Sequence, residues 1–132
     1  MQTDQGSLIK TYIGEAPGIG RGVFAAQDIA KWEVIEICPV LAVSPAEALY
    51  LDLTLLGDYY YAWAPELTGA AIALGHGSLY NHSYTPNAWY SKDFNRGQIQ
   101  IISLREIAKG EEIRFNYNSS PMDPTPMRFD PK

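Results

Sequence analysis

Short runs of β-branched and aromatic residues, interrupted by glycine and proline, place the strongest constraint on how this chain folds. Three of these runs, Glu33–Val43, Gln98–Leu104 and Glu112–Tyr117, have the length and composition of strands. Between Trp89–Asp93 and Gln98–Leu104, the segment Asn95-Arg96-Gly97 predicts a three-residue hairpin loop in which the glycine supplies a positive φ angle. We therefore expect a mostly β, α+β fold made of several small twisted sheets.

One segment predicts a helix. Ser44-Pro45-Ala46-Glu47 has the pattern of a capping box with proline at the first helical position, and leucines that follow would give the helix an apolar face. Gly57 predicts its end. The next segment, Asp58–Trp63, is rich in aromatic residues and predicts a strand with Tyr59 and Tyr61 on one face.

Composition narrows the class of protein. The chain has 132 residues, of which 46% are hydrophobic, and this predicts a single globular domain. The net charge of −5 and the scattered basic residues argue against a nucleic-acid partner. One cysteine, Cys38, and two histidines cannot form an internal disulfide or a zinc site, so no metal is expected and Cys38 is interpreted as a buried structural thiol.

The sequence shows no pattern typical of a targeting or membrane-spanning segment. The first ten residues lack the basic and apolar regions of a signal peptide, and no apolar run approaches the ~20 residues of a membrane span. We expect a cytoplasmic protein that does not contact a membrane, or a nuclear protein if the source is eukaryotic or viral.

The acidic residues are unevenly placed. From Trp32 to Ser91 the chain contains no lysine or arginine, while the same stretch carries six acidic residues. This pattern is typical of a solvated acidic face. It also fits an electrostatic field that attracts basic peptides, and the sequence leaves both interpretations open.

Four segments carry residues suited to binding or chemistry. Gly20-Arg21-Gly22 allows a sharp turn and close approach to a ligand, although an ordinary turn has the same pattern. Asn81–Asn87 concentrates hydrogen-bonding groups, although His82 is equally typical of a structural histidine. Tyr117 ends a predicted strand, where its side chain can belong to the core or point into a site. The tyrosines of Asp58–Trp63 can belong to the core or to an aromatic cage for a cation.

The order and spacing of these segments resemble the SET-domain family of lysine methyltransferases. The resemblance runs from about Gly18 to Asn118 and rests on Gly20-Arg21-Gly22, on Asn81-His82-Ser83-Tyr84-Thr85-Pro86-Asn87, and on Gly110–Tyr117. The chain is most similar to the short viral and bacterial stand-alone SET proteins. This resemblance implies a SET-domain, β-clip-like fold with a short helical insert and a C-terminal pseudoknot. The domain would span residues 1–118, and residues 119–132 would form a proline-rich tail able to act as a lid.

The resemblance also implies roles for individual residues. It implies an S-adenosylmethionine-dependent protein-lysine N-methyltransferase that acts on a histone or another basic protein tail, and it is compatible with a homodimer. Tyr117 would be catalytic, and Tyr59 and Tyr61 would line the substrate channel. The implied cofactor-binding residues are Gly20, Arg21, Gly22, Asn81, His82 and Phe129. Two other functions stay open: a catalytically silent SET-like binding module, and methylation of an acceptor other than protein lysine.

Overall fold

A computed structural model describes residues 9–118 and 121–124 of the chain. This part folds into nine strands, one α-helix and one 3₁₀ helix. The mostly β expectation is therefore confirmed. The elements are β1 (Thr11–Ala16), β2 (Gly20–Ala25), β3 (Val34–Val43), α1 (Pro45–Leu51), the 3₁₀ helix (Leu55–Asp58), β4 (Tyr61–Trp63), β5 (Gly69–Ala73), β6 (Asn81–His82), β7 (Ala88–Asp93), β8 (Gln98–Ser103) and β9 (Glu112–Phe115).

The strands form two small sheets. The first has the order β1-β2-β9-β6, and the second has the order β4-β5-β3-β8-β7. In the first sheet β6 pairs in parallel with β9, with Asn81 opposite Arg114 and His82 opposite Phe115. This pairing brings the Asn-His segment beside the last strand, although more than thirty residues separate them in the sequence.

The second sheet curls until its two edge strands approach each other. The ring of Tyr61 on β4 packs edge-on against the ring of Tyr90 on β7, with 5.2 Å between centroids. The Lys92 Nζ on β7 donates a hydrogen bond to the Ala62 carbonyl on β4 at 2.7 Å. A cleft lined by side chains from both edges lies between these strands.

The core is built from alternating residues of the strands. In β8 the buried positions are Ile99, Ile101 and Ser103, while the residues between them are partly exposed, as period-two alternation predicts. Burial of a complete isoleucine side chain contributes about 1.5–3 kcal/mol. Cys38 is a free, fully buried thiol, and burial raises its pKa well above the ordinary value. The interpretation of Cys38 as a structural thiol is confirmed.

The cap prediction is confirmed. The turn prediction is confirmed for its glycine but not for its length, because the β7–β8 loop has four residues, Phe94–Gly97, instead of three. The Ser44 Oγ accepts the Glu47 N–H at 3.2 Å, and the Glu47 carboxylate accepts the Ser44 N–H at 3.0 Å, which completes the capping box. In the β7–β8 hairpin, Gly97 has a φ of 64°. Each of these features depends on residues within a few positions of one another.

The predicted helix from Ser44 to Gly57 is too long, because α1 ends at Leu51. The Thr54 hydroxyl donates to the Leu51 carbonyl at 2.8 Å and accepts the Leu56 N–H at 3.1 Å. These local bonds replace the next helical hydrogen bonds and start the 3₁₀ helix. The prediction that the leucines of this segment form an apolar face against the core is also wrong, since Leu49 and Leu55 are 69% and 74% exposed.

The predicted strand Asp58–Trp63 is correct only for its last three residues. Asp58 belongs to the 3₁₀ helix and Tyr59 caps it, with the Tyr59 N–H donating to the Leu56 carbonyl at 3.0 Å. Tyr59 and Tyr61 therefore do not share a strand face. The last strand likewise ends at Phe115, two residues before Tyr117. Neither helix in the described ranges has the length and apolar character needed to cross a membrane.

Candidate functional site

Two adjoining cavities lie where the sheets meet. The first has a volume of about 280 Å³ and mainly aromatic walls, and the second has a volume of about 220 Å³. Asp58, Tyr59 and Tyr117 line both cavities. The first is further lined by Tyr60, Tyr61, Ala62, Leu67, Gly77, Ser78, Tyr80, Tyr90, Lys92 and Phe115, and the second by Ile19, Arg21, Leu79 and Asn81. The arrangement can hold two ligands whose ends meet beside Tyr117.

Tyr117 stands at this junction and is fixed by both its backbone and its hydroxyl. Its N–H donates to His82 Nδ1 at 3.0 Å, and its hydroxyl donates to the carbonyl of Tyr80. Burial raises the pKa of the phenol well above its usual range. Tyr117 is consequently a neutral hydrogen-bonding group at pH 7 and cannot serve as a tyrosinate base.

His82 supports Tyr117 from the side of β6. The imidazole is 4% exposed, and its ring packs edge-on against Tyr84 and Tyr117 at 4.3 and 5.2 Å between centroids. Because Nδ1 accepts a backbone N–H, the proton of the neutral ring is assigned to Nε2, which has no hydrogen-bond partner among the described residues. Burial lowers the pKa of His82, so the ring is held neutral.

Asn81 connects the glycine-rich hairpin to β9. Its side-chain amide donates to the Arg21 carbonyl at 2.9 Å and to Glu112 Oε2 at 2.7 Å. The other carboxylate oxygen of Glu112 accepts from Arg114 at 2.6 Å. A Cβ on Gly22 would lie 2.4 Å from Glu112 Oε2 and 2.8 Å from Asn81 Nδ2. A side chain at this position would therefore displace the Glu112 carboxylate and the Asn81 amide from their network.

The hydroxyls on the walls of the aromatic cavity are anchored by the protein. Tyr61 donates to the Gly77 carbonyl at 2.7 Å, and Tyr90 donates to the Asn118 carbonyl at 3.0 Å. Burial raises the pKa of Tyr61 and, less strongly, that of Tyr90. The cavity thus presents neutral aromatic surfaces to a ligand, with the phenolic protons of Tyr61 and Tyr90 already directed at carbonyl groups.

A partly buried carboxylate organises the loop beneath these tyrosines. Glu36 accepts the Tyr80 hydroxyl on Oε1 and the His76 N–H on Oε2, both at 2.8 Å. The loop between these two contacts supplies the Gly77 and Tyr80 carbonyls that accept from the two cavity tyrosines, Tyr61 and Tyr117. Glu36 therefore acts on the cavity through the loop that runs from residue 76 to residue 80.

The sequence-predicted site residues fall into three groups. Arg21, Asn81, Tyr59 and Tyr117 meet at the second cavity, and Tyr61 lines the first. The remaining glycines and the histidine adjoin these residues: Gly20 and Gly22 flank Arg21, and His82 contacts Tyr117. Phe129 lies outside the described residues.

Sequence reasoning missed several residues of the first cavity. Tyr80, Tyr90, Lys92 and Asp58 line it without having been predicted as site residues. Tyr80 directly precedes the Asn-His segment and Tyr90 follows it closely, which is the available sequence signal. Among the described residues no group of three or more His, Cys, Asp or Glu side chains is placed to hold a metal ion.

Comparisons with known sequences agree with this geometry. The chain matches the SET domain over residues 20–118. It is 40% identical over 99 residues to a Schizosaccharomyces pombe histone-lysine N-methyltransferase specific for histone H3 lysine 37. That match covers 74% of this chain and 66% of the relative, so the chain spans slightly less than two thirds of the curated protein.

Solved structures show the same fold. A crystal structure of a proposed histone methyltransferase from Plasmodium falciparum superposes with a TM-score of 0.64 at 33% identity, covering 84% of this chain and 95% of that one. The Chaetomium thermophilum Polycomb Repressive Complex 2 contains a similar region, with a TM-score of 0.69 at 21% identity. That likeness covers 81% of this chain and 14% of the larger one, and it concerns the fold alone.

Proposed function

Because the chain belongs to the SET-domain family, we propose that it is an S-adenosylmethionine-dependent protein-lysine N-methyltransferase. The observation that carries the proposal is the pair of cavities that meet at Tyr59 and Tyr117. Such an arrangement suits a reaction in which a cofactor and a lysine side chain approach each other from two directions.

The second cavity carries charged and polar groups that match those of the cofactor. S-adenosylmethionine has an amino-acid end with an ammonium and a carboxylate, beside a sulfonium that supplies the methyl group. Arg21 offers a guanidinium for the carboxylate, and Asp58 offers a carboxylate near the cationic groups. His82 Nε2, buried without a partner among the described residues, lies beside Asn81 of this cavity. We assign the cofactor to Gly20, Arg21, Gly22, Asn81 and His82.

The first cavity lowers the main energetic cost of the reaction, which is deprotonation of the lysine ammonium. An ordinary lysine has a pKa near 10.4, so forming the nucleophilic neutral amine costs about 4–5 kcal/mol at pH 7. Tyr61, Tyr90 and Phe115 provide an aromatic wall of this cavity. Desolvation in such a cavity disfavours the ammonium form, and a neighbouring positive charge disfavours it further.

Tyr117 then orients the amine. Its hydroxyl donates to the Tyr80 carbonyl, so the phenolic oxygen keeps acceptor capacity for an amine N–H at the junction. Holding the nitrogen in line with the methyl donor reduces the entropic part of the barrier. Tyr59 borders the same junction and restricts the space available to the amine.

A basic protein tail, such as a histone tail, is the substrate class that we propose, by analogy with the S. pombe relative. The acidic stretch supports this in part. Glu33 pairs with Lys10 at 2.6 Å and Glu36 is bonded internally, whereas Glu47, Asp52, Asp58 and Glu66 are exposed. These four exposed carboxylates can attract basic residues at a distance from the target lysine. A nuclear or cytoplasmic location fits such substrates.

The proposal is tested by incubating the purified protein with labelled S-adenosylmethionine and histones, followed by mapping of the modified residue. We expect methyl-lysine, and we expect Tyr117→Phe to lose nearly all turnover while its melting temperature and cofactor affinity stay close to wild type. Cofactor binding without transfer to any protein would instead favour a catalytically silent module. Turnover of Tyr117→Phe within twofold of wild type would remove this residue from the proposed role.

A further inference from the structure

Lys92 occupies an unusual position in the aromatic cavity. It lies on β7 and contributes both to the wall of this cavity and to a neighbouring polar cleft of about 370 Å³. Its Nζ donates to the Ala62 carbonyl at 2.7 Å and stands 5.7 Å from the centroid of the Tyr90 ring. The polar cleft is otherwise lined by Ser91, Asp93, Phe94, Asn95 and Gln100. Lys92 thus separates the cavity from a groove able to hold the residues that flank a substrate lysine.

This half-buried ammonium has no carboxylate partner within residues 9–118 and 121–124. The described residues form four ion pairs, and none of them includes Lys92, although the chain has a net charge of −5. Its acidic neighbour Asp93 pairs with Arg96 instead, at 3.5 Å. Partly buried cations are normally paired, and burial lowers the pKa of Lys92, as expected of an uncompensated charge.

The hydrogen-bonding capacity of Lys92 is also incompletely used. An ammonium has three N–H donors, and the Ala62 carbonyl accepts one of them. The ammonium keeps its other two donors at a position that borders both the aromatic cavity and the polar cleft. A carboxylate of a bound ligand would satisfy them and would neutralise the charge.

We propose that Lys92 binds a carboxylate of the substrate, so that the enzyme prefers a target lysine with an aspartate or glutamate two residues away from it. This inference rests on the proposed methyltransferase function. In an extended peptide, residues two positions apart project from the same side, about 7 Å from each other. A carboxylate two residues from the target lysine is therefore directed to the same side as the lysine, where Lys92 borders the aromatic cavity. A lysine or arginine at the same place meets an unfavourable like charge.

Lys92 also connects β4 to β7 through its hydrogen bond to the Ala62 carbonyl. A purely structural role would change the activity on the peptides differently from a role in binding a carboxylate. Loss of a structural connection would lower the activity on every peptide by a similar factor. Loss of a carboxylate site would lower the activity only on the acidic peptide. The Lys92→Met variant separates the two, since methionine keeps an unbranched apolar stem without the charge.

The test uses three peptides that are identical except at the position two residues from the target lysine. This position is glutamate, glutamine or lysine. For the wild-type protein we expect kcat/KM on the glutamate peptide to exceed that on the glutamine peptide about tenfold, as a charge-assisted hydrogen bond provides. Lys92→Met should abolish the preference, Lys92→Arg should keep it, and Lys92→Glu should favour the lysine peptide. As a matched control, Lys109→Met removes an exposed lysine in the turn before β9 and should keep the wild-type preference.

Peptide affinity measured by fluorescence anisotropy gives a second readout that does not depend on turnover. Equal kcat/KM and equal affinity for the three peptides in the wild type would overturn the inference. So would a preference that survives in Lys92→Met, or an equal loss on all three peptides. Absence of turnover on every peptide would count against the proposed function, and the affinities would still decide the role of Lys92.

Discussion

Replacement of Glu36 by glutamine tests whether a partly buried carboxylate holds the cavity in shape. Glu36 accepts from the Tyr80 hydroxyl and from the His76 N–H, each at 2.8 Å. Glutamine has nearly the same size but only one acceptor oxygen, so one of the two donors faces an NH₂ group. The change leaves the packing almost intact and removes the charge that both donors address.

The expected loss follows from the two contacts. Hydrogen bonds to a charged group contribute about 1.5–3 kcal/mol, against about 0.5–1.5 kcal/mol for neutral pairs. One contact becomes a neutral hydrogen bond and the other is lost, which together lower the free energy of unfolding by about 2.5–4.5 kcal/mol. For a domain of this length, that corresponds to a fall in melting temperature of about 10–18 °C. Turnover should fall about tenfold or more, because the loop carbonyls that fix Tyr61 and Tyr117 shift.

Calorimetry or thermal circular dichroism measures the first effect, and a methylation assay well below the melting temperature measures the second. Glu106→Gln is the matched control, because Glu106 is an exposed glutamate whose carboxylate makes no hydrogen bond among the described residues. Its effect should stay within about 0.5 kcal/mol. If Glu36→Gln melted within 2 °C of this control and kept full turnover, the reasoning about the loop would be refuted.

Four further changes have defined outcomes. Asn81→Ala removes the donors to the Arg21 carbonyl and to Glu112, so we expect a lower melting temperature or weaker cofactor binding. Calorimetry that showed neither effect would defeat the assignment of Asn81 to the cofactor site. Tyr61→Phe frees space near the amine and should raise the di- and trimethyl share in mass spectra, whereas an identical product distribution would make Tyr59 the next candidate. The KM for a basic peptide should rise with salt as the exposed acids are screened, and a flat KM would favour a merely solvated acidic face. Burial lowers the folded-state pKa of His82, so on acidification the unfolded chain takes up the proton first, and the stability present above about pH 6.5 is lost below it. His82→Gln should therefore lose less free energy of unfolding than the wild type when urea unfolding is compared between pH 7.5 and pH 5.5. Equal losses in the two proteins would contradict this account.

The sequence by itself determined the family and the local features. Gly20-Arg21-Gly22, the Asn81–Asn87 segment and Gly110–Tyr117 were sufficient because each is short and carries its own steric or hydrogen-bonding requirement. The Ser44 cap and the Gly97 turn could be predicted for the same reason, since their partners lie within a few residues. The buried thiol of Cys38 followed from its apolar neighbours.

Only the tertiary structure decided which residues build the aromatic cavity and which support it. Glu36 meets Tyr80 across 44 residues of sequence, and Lys92 meets Ala62 across 30, because the second sheet curls until its edges approach. Periodicity and propensity report on neighbours within a few residues, whereas these contacts depend on strand register and sheet curvature, which are set by the packing of the whole core.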